Sequence, residues 1–237
     1  MKFKIFVINL DSSKQRWCKI KNQLDDFKLE YERIPAVDGR LLSNSNKMYN
    51  SFKNKTHFHI NLSKGEIGCY LSHINCWKKI IDENLDYAII IEDDVKILQD
   101  LNKIKKLITD TLFLEWDYIK IGETPVKRNS KVVKNIKDFS IVKYSKKVPT
   151  GTFGQIVSYK GSKKLLEYSN PFYRPVDVDI QHTWENNLNV FGIKPYFIDA
   201  IKNQSDISDI GDRKKNKKRL FIKITNIIIE YYQIFFR

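Results

Sequence analysis

Three adjacent carboxylates, Glu92, Asp93 and Asp94, are the side chains in this sequence whose types and spacing indicate chemistry most directly. They follow the apolar run 87–91, whose isoleucines predict a strand buried on both faces of a sheet. Adjacent negative charges repel one another, and a hard divalent cation such as Mg²⁺ or Mn²⁺ would relieve that repulsion. Ligands collect at the carboxyl ends of strands in open α/β sheets. The triplet therefore predicts a divalent-metal site, with an acidic turn after a buried strand as the alternative.

A second acidic cluster, Asp177 and Asp179, precedes a short helix predicted around Trp184. One cluster could hold a metal ion on a diphosphate, where the ion acts as a Lewis acid. The other could supply a carboxylate base that takes the proton of an attacking hydroxyl group. Helices predicted to begin near Ser12 and Gly65 could add backbone N–H groups for phosphate. For Asp179 the alternative role is structural, since Asp is a favoured N-cap of helices.

The spacing of apolar residues predicts an α/β fold. A strand over 3–8, a helix whose apolar residues recur over 17–27 and a short strand over 29–34 form a βαβ-like opening. Ser63 and Glu66 form a capping-box pattern at the start of the helix that leads into the strand of the acidic triplet. Strands and helices continue to alternate beyond the triplet, which predicts a mostly parallel central sheet.

Two polar stretches lack a clear period. The Ser-, Asn- and Lys-rich stretch 43–56 is interpreted as a flexible excursion. The basic stretch 127–147 is interpreted as a hairpin near a polyanionic ligand, with a solvated lysine-rich surface as the alternative.

The formal net charge of +14 is compatible with nucleic acid, a membrane or a phosphorylated substrate as partner. Residues 213–237 hold eight Lys or Arg and one Glu, so half of the excess charge lies in a short tail. We therefore expect one domain over 1–205 and a basic amphipathic tail over 206–237. The three cysteines lack metal-ligand spacing. Such cysteine usage is typical of a protein in a reducing cytoplasm. The sequence contains no signal-peptide pattern and no apolar run of the roughly 20 residues that a membrane span needs.

The tail predicts a helix with a narrow polar stripe. At about 100° per residue, an arc of about 80° contains the polar side chains of Arg219, Lys223, Asn226, Glu230, Gln233 and Arg237. Leu, Ile, Phe and Tyr form nearly all of the remaining surface, which must be covered by the domain, by a partner subunit in a homodimer or by a membrane. We favour an anionic membrane surface, because a basic cluster directly precedes the helix.

Several short motifs occur in the order found in one enzyme family. They are Val7-Ile8-Asn9-Leu10 with Arg16-Trp17, Arg33, Ala36-Val37-Asp38-Gly39, Gly65-Glu66-Ile67-Gly68-Cys69 with Leu71-Ser72-His73, Ile91-Glu92-Asp93-Asp94-Val95, Trp116-Asp117, Gly151-Thr152 with Gly154, and Pro175-Val176-Asp177. Over roughly residues 3–200 the chain thereby resembles the glycosyltransferase family 25 enzymes of lipopolysaccharide and lipooligosaccharide biosynthesis.

The resemblance implies a GT-A-like nucleotide-sugar-binding fold and transfer of a hexose, often galactose, from a UDP-sugar with inversion at the anomeric carbon. It also implies that the acidic triplet plays the part of a DxD motif, with Asp94 and Glu92 as ligands of Mn²⁺ or Mg²⁺. The side chains expected at the donor site are Asn9, Arg16, Arg33, Asp38, Ser72, His73, Glu92 and Asp93. For His73 the alternative is a packed, hydrogen-bonded histidine on a helix.

The same resemblance assigns the general base to Asp177, which matches the Pro-Val-Asp motif. Glu66, expected toward the donor or the acceptor, and Asp179 are the next candidates for this role. Gln155 stands where relatives often have an aromatic residue, so we expect it to alter contacts with the sugar or the acceptor. Residues 125–147 match poorly and leave the acceptor unspecified.

The implied partners are a UDP-hexose and a lipid-linked saccharide acceptor, with the enzyme peripheral on the cytoplasmic face of a bacterial inner membrane. A metal-dependent phosphotransferase or phosphohydrolase is one alternative. That class needs a nucleophilic Asp in a DxD motif after the first strand, whereas Asn9-Leu10-Asp11 offers a single acid there. A non-enzymatic nucleic-acid-binding module is the other. It would carry aromatic and basic residues on one surface, whereas the aromatic residues here fall at core spacings, so no nucleic acid is expected.

Overall fold

The computed structural model describes residues 1–43, 47–112, 114–124, 126–201 and 219–236. In chain order its elements are β1 (Phe3–Asn9), α1 (Lys14–Asp26), β2 (Glu32–Pro35), a 3₁₀ turn (Gly39–Leu41), α2 (Ser51–His57), α3 (Lys64–Asp82), β3 (Tyr87–Glu92), β4 (Val95–Ile97), α4 (Asn102–Thr109), β5 (Tyr118–Lys120), β6 (Ser130–Ile136), β7 (Phe139–Tyr144), β8 (Gly154–Ser158), α5 (Tyr159–Tyr168), α6 (Val176–Gln181), α7 (Thr183–Asn186), β9 (Val190–Lys194), β10 (Ile198–Ala200) and α8 (Leu220–Phe236).

Eight of the strands form one sheet in the order β2-β1-β3-β8-β5-β9-β7-β6, and β4 pairs with β10 in a small second sheet. β1 is parallel to both β2 and β3, and β5 is parallel to β9. β8 is inserted antiparallel between β3 and β5, and β7 is antiparallel to β9 and β6. Only β7 and β8 therefore run against the other six strands. The α/β class and the mostly parallel central sheet are confirmed.

The central strands are buried on both faces because each face carries helices. On β1, Val7 belongs to the core cluster that contains Ile20 and Leu24 of α1. Phe6, which precedes Val7 in the strand, belongs to the cluster on the opposite face of the sheet, which contains Trp77 of α3. Alternating side chains thus enter two cores, and each buried aliphatic or aromatic side chain contributes roughly 1.5–3 kcal/mol. This packing holds the carboxyl ends of β1 and β3 side by side.

The stretch 43–56, expected to be a flexible excursion, contains part of a helix, and its residues 44–46 lie outside the described residues. Its last part forms α2, which Asn50 caps by accepting a hydrogen bond from the backbone of Lys53 at 2.8 Å. The fully buried Asn54 amide donates to the carbonyls of Ile60 and Tyr173. Because the contacts that hold this helix are polar, no apolar stripe in the sequence predicted it.

The hairpin predicted over 127–147 is confirmed as β6 and β7. It occupies the edge of the sheet, and three strands separate it from β3. A polyanionic ligand bound at the acidic triplet would therefore not lie beside the hairpin. β6 is largely exposed, which fits the solvated alternative, whereas β7 is largely buried.

The C-terminal amphipathic helix is present as α8. The expected boundary between 1–205 and 206–237 falls within 202–218, which lies outside the described residues. No helix among the described residues combines the length and the apolar character that crossing a membrane requires.

A buried ion pair joins the segment before α6 to α6, and a residue of α3 contacts it. The Arg174 guanidinium donates to Asp179 at 2.6 Å, and the Tyr70 hydroxyl donates to the other carboxylate oxygen at 2.8 Å. Burial raises the pKa of Asp179 to about 6, although Arg174 and Tyr70 both favour its ionised form. Asp179 is therefore neither a helix cap through its side chain nor a carboxylate facing a substrate.

We expect Arg174→Met to lower the free energy of unfolding by about 3–5 kcal/mol at pH 7.5, because it leaves the Asp179 charge buried without its cation. The pKa of Asp179 then rises further, so the loss shrinks as the pH falls toward 5 and Asp179 is protonated in the folded state. Urea unfolding at both pH values measures this difference. Lys160→Met is the control, because Lys160 and Glu115 form an exposed pair at 3.9 Å and such pairs contribute roughly 0–1 kcal/mol. Equal losses in the two variants would contradict the prediction.

Candidate active site

The acidic triplet lies at the carboxyl ends of two neighbouring parallel strands. Glu92 ends β3 and stands opposite Ile8 of β1, so the residue after Ile8, Asn9, lies next to the turn formed by Asp93 and Asp94. The chain then enters β4, whose pairing with β10 fixes the far side of the turn. The predicted position of the triplet at a strand end is thus confirmed.

The three carboxylates have different partners. Asp93 accepts a hydrogen bond from the Asn9 amide at 2.6 Å and lies 3.4 Å from the Arg16 guanidinium. Asp94 lies 4.0 Å from the same guanidinium. Burial raises the pKa of Asp94 to about 7, and the negative charges of Glu92 and Asp93 raise it as well, against the smaller opposing effect of Arg16. Asp94 is therefore the member of the triplet whose negative charge is least compensated.

Glu92 is held by two side chains from other elements. His73 of α3 lies 3.2 Å from one of its carboxylate oxygens, and the Thr152 hydroxyl donates to the same oxygen at 2.8 Å. Burial favours the protonated form of Glu92, but the contacts with His73 and Thr152 and the charge of Lys120 outweigh it, so its pKa is lowered. Glu92 is consequently ionised at neutral pH, like a metal-binding carboxylate.

A first cleft of about 550 Å³ opens where β1, the loop after β2 and α3 meet the triplet. Its lining residues are Ile8, Asn9, Leu10, Arg16, Ala36, Val37, Gly39, Gly65, Cys69, Ser72, His73, Glu92, Asp93 and Asp94. Of the side chains expected at the donor site, only Arg33 and Asp38 are missing from this lining. Arg33 instead donates to Asn9 at 2.9 Å and to Asp11 at 2.5 Å, and Asp38 pairs with Arg40 and caps the 3₁₀ turn.

Close backbone contacts form one wall of the first cleft. The Ser72 hydroxyl accepts a hydrogen bond from the backbone of Val37 at 2.8 Å and donates to the Gly68 carbonyl. A Cβ atom on Gly68 would lie 2.4 Å from the Val37 oxygen and 2.9 Å from the Gly39 nitrogen. Glycine is therefore required where α3 meets this loop.

A second cleft of about 1120 Å³ lies on the other side of the triplet. Its lining residues are Glu66, Cys69, Glu92, Asp94, Thr150, Gly151, Thr152, Phe153, Pro175, Val176, Asp177, Val178 and Ala200. Asp177, in the first turn of α6, accepts a hydrogen bond from the Gly151 backbone at 3.2 Å. Asp94, Glu92 and Cys69 line both clefts, so these three residues form the wall between them.

Glu66 lines the second cleft but is also engaged in the predicted capping box. Its carboxylate accepts a hydrogen bond from the Ser63 backbone at 2.8 Å, and the Ser63 hydroxyl accepts one from the Glu66 backbone at 3.1 Å. Asp179 is buried in its ion pair. Of the three base candidates, Asp177 is therefore the one that lines the cleft and whose carboxylate takes part in neither a helix cap nor a buried ion pair.

Any effect of Gln155 on contacts with the sugar or the acceptor is indirect. Gln155 is fully buried in β8 and lines neither cleft. Its amide lies 2.9 Å from Nδ1 of His73, whose other ring nitrogen faces Glu92. Gln155 therefore helps to orient His73, which is itself fully buried.

Lys120 is a site residue that the sequence reasoning missed. It is buried at the end of β5 and donates to the carbonyl oxygens of Thr150 and Gly151. Burial lowers its pKa to about 8, although Asp177 and Glu92 oppose this shift. The loop that it holds contacts both acids, Asp177 through Gly151 and Glu92 through Thr152. A lysine inside an otherwise apolar strand was the signal available in the sequence.

The donor set at the wall between the clefts fits a hard divalent cation. Asp94 and Glu92 offer carboxylate oxygens, and the excess negative charge around Asp94 would be relieved by such an ion. Among the described residues, the ligand atoms of Cys69, His73 and Glu92 also lie within 4.8 Å of one another. Burial raises the pKa of the Cys69 thiol well above its usual value, so it is protonated and a poor metal ligand.

Comparisons with known proteins match most of this chain. The family model described as "Glycosyltransferase family 25 (LPS biosynthesis protein)" matches residues 2–180. Human procollagen galactosyltransferase 2 is 33% identical over 186 residues, which cover 74% of this chain and 29% of that protein. Mouse inactive glycosyltransferase 25 family member 3 is 26% identical over 233 residues, covering 88% of this chain and 38% of that protein. The chain thus spans about a third of the length of these curated relatives.

Among solved structures, a Drosophila β-1,4-galactosyltransferase 7 mutant in complex with manganese, UDP-Gal and xylobiose aligns with a TM-score of 0.47 and 8% identity. The alignment covers 91% of this chain and 76% of that chain.

Proposed function

The chain belongs to glycosyltransferase family 25, and from this premise we propose that it transfers a hexose, most simply galactose, from a UDP-sugar to a saccharide acceptor with inversion. The observation that carries the proposal is the wall shared by the two clefts, which contains Asp94 and Glu92. A donor bound in the first cleft and an acceptor bound in the second would meet there. The names of several curated relatives, procollagen galactosyltransferases, support galactose as the sugar.

In the proposed reaction, the first cleft binds the nucleotide, and Asn9 and Arg16 are among its lining residues. Asp94 and Glu92 would hold Mn²⁺ or Mg²⁺, which as a Lewis acid would neutralise the charge of the departing diphosphate. The acceptor hydroxyl oxygen forms a bond to the anomeric carbon from the face opposite the diphosphate. The bond from that carbon to the diphosphate oxygen breaks, UDP leaves with the electron pair, and Asp177 takes the hydroxyl proton.

We further propose a lipid-linked saccharide of lipopolysaccharide or lipooligosaccharide as the acceptor and the cytoplasmic face of the inner membrane as the location. The description of the matching family model, which names lipopolysaccharide biosynthesis, supports this acceptor class. Three free cysteines are compatible with a reducing compartment.

Activity is tested by incubating the full chain with Mn²⁺, lipooligosaccharide and UDP-galactose, UDP-glucose or UDP-N-acetylglucosamine, and by measuring UDP release. We expect acceptor-dependent release with one donor, and the anomeric configuration of the product by NMR tests inversion. Release of inorganic phosphate would favour the phosphohydrolase alternative. Absence of turnover with every donor would contradict the proposal. This outcome is worth testing because the mouse relative is named an inactive member of the family.

We expect Gly68→Ala to raise the KM for the UDP-sugar by about tenfold, because the added Cβ displaces the Val37 carbonyl from the wall of the first cleft. Crowding of this kind also lowers the free energy of unfolding by roughly 1–3 kcal/mol. Steady-state kinetics and urea unfolding measure the two effects. Gly161→Ala is the matched control, because its Cβ would lie 2.1 Å from the Asp117 carbonyl, away from both clefts. The control is expected to lose stability with an unchanged KM, and a similar rise in both KM values would contradict the assignment.

A further inference from the structure

The C-terminal helix α8 turns its polar side toward the domain. The backbone N–H of Arg219 donates to the His59 carbonyl at 2.9 Å, and its guanidinium donates to the Phe58 carbonyl at 2.7 Å. About two turns further on, the Asn226 amide donates to the His57 carbonyl at 2.9 Å. The polar stripe is therefore the side that attaches the helix to α2 and the loop after it.

The second half of α8 is attached in the same way. The Glu230 carboxylate lies 2.8 Å from the Lys147 ammonium and 3.8 Å from the ring of His182. His182 directly follows α6, the helix that carries Asp177. Polar contacts at both ends thus set the rotation of α8 about its own axis.

This rotation leaves the apolar side of α8 facing outward. Five of its exposed residues recur every three or four positions, as on one helix face: Leu220, Phe221, Ile224, Ile227 and Ile228, with exposed fractions of 66%, 82%, 49%, 54% and 62%. Ile229, Tyr231 and Tyr232 are exposed as well. A contiguous apolar surface of this kind on a soluble domain is typical of an interaction site. The domain itself cannot cover it while Arg219, Asn226 and Glu230 hold their present partners.

We propose that this face, the apolar surface of α8, docks the protein onto an anionic lipid bilayer. The charge of the chain favours an anionic bilayer over a second copy of the chain as the partner of this surface. Five of the six residues in 213–218 are Lys or Arg, and they directly precede Arg219 and the helix. Basic residues at this position attract an anionic leaflet, whereas a second copy of a chain with net charge +14 would be repelled. A helix with one apolar and one polar side lies in the plane of the membrane surface rather than across it.

The contacts of α8 also relate the docking face to the second cleft. Because Glu230 contacts His182 at the end of α6, a docked α8 brings the helix that bears Asp177 close to the bilayer. This step rests on the proposed function, and it would place the acceptor side of the enzyme where a lipid-linked saccharide is presented.

The docking is tested by co-sedimentation of the full chain with vesicles of phosphatidylglycerol and phosphatidylcholine in equal parts, and with pure phosphatidylcholine vesicles. We expect the wild type to bind the anionic vesicles and to bind the neutral ones much more weakly. The double variant Phe221→Ser with Ile228→Ser changes no charge and should weaken binding to anionic vesicles at least tenfold. The control, Leu112→Ser with Val132→Ser, removes two apolar residues elsewhere that are 60% and 58% exposed, and it should bind like the wild type.

A second variant, Ile224→Trp, keeps the face apolar and reports its surroundings directly. Its added tryptophan emission should shift to the blue with anionic vesicles, and no shift would overturn the proposal. So would unchanged binding of the double variant, or a wild-type dimer in light scattering that the double variant dissociates, since the occupant would then be a second copy. UDP release by the double variant with a detergent-dispersed acceptor should equal that of the wild type. If the wild type binds vesicles but releases no UDP, the proposed function fails and the docking stands.

Discussion

Asp94→Asn is expected to lower kcat/KM for sugar transfer by roughly 10³-fold and to abolish its stimulation by Mn²⁺. The substitution keeps the size of the side chain and removes the charge that is least compensated within the acidic triplet. Because that charge lies partly buried beside Glu92 and Asp93, its removal relieves repulsion in the metal-free protein. The variant should therefore melt no lower than the wild type when both are measured without metal.

The measurement is a titration of transfer activity with Mn²⁺ after treatment of the protein with a chelator. Asp138→Asn is the matched control, since Asp138 lies in the turn between β6 and β7 and lines neither cleft. It should show wild-type activity and metal dependence. A wild-type Mn²⁺ dependence in the Asp94 variant would show that the metal is held elsewhere.

Asp177→Asn is expected to lower kcat by about 10²–10⁴-fold, the usual contribution of a general base, with little change in the affinity for the UDP-sugar. Asp177 lines only the second cleft, so its loss should spare the donor site. The amide oxygen of Asn can still accept the hydrogen bond from the Gly151 backbone, and the loop 150–152 should keep its place. Single-turnover kinetics separate the chemical step from donor binding.

Two further measurements identify the base. Glu66→Gln keeps an oxygen for the bond from the Ser63 backbone, and it should reduce kcat only severalfold if Glu66 serves the helix cap. The fall in kcat toward acid pH, which reports protonation of the base, should disappear in the Asp177 variant. A near-normal kcat for Asp177→Asn would move the role to another group.

Much of the fold and part of the site follow from the sequence, since short-range features determine them. The strand before Glu92, the helix opened by Ser63 and Glu66, and the βαβ opening each depend on periodicity or on contacts within four residues. Parallel pairing of β1 with β3 then brings Asn9 to Asp93, as strand-end placement predicts. The family motifs were recognisable for the same reason, because they are contiguous in the chain.

Tertiary structure alone decided which distant residues complete the site. Asp177 and Asp94 are separated by 83 positions, and only the folding of α6 against the loop 150–152 places them on one cleft. Periodicity could not show that Lys120 holds this loop, or that Gln155 faces His73 instead of a substrate. Such contacts join residues from separate strands and helices, and their formation depends on how the two cores pack.

The C-terminal helix also has one property that the sequence determined and one that only the folded structure decided. The sequence determined that one side of it is polar and the other apolar, because an α-helix places residues at about 100° intervals. It did not determine which side turns inward. Hydrophobicity alone would bury the apolar side, but the hydrogen bonds and ion pairs of Arg219, Asn226 and Glu230 with the domain turn the polar side inward. Those partners come from three separate regions of the chain, so only the folded structure could reveal them.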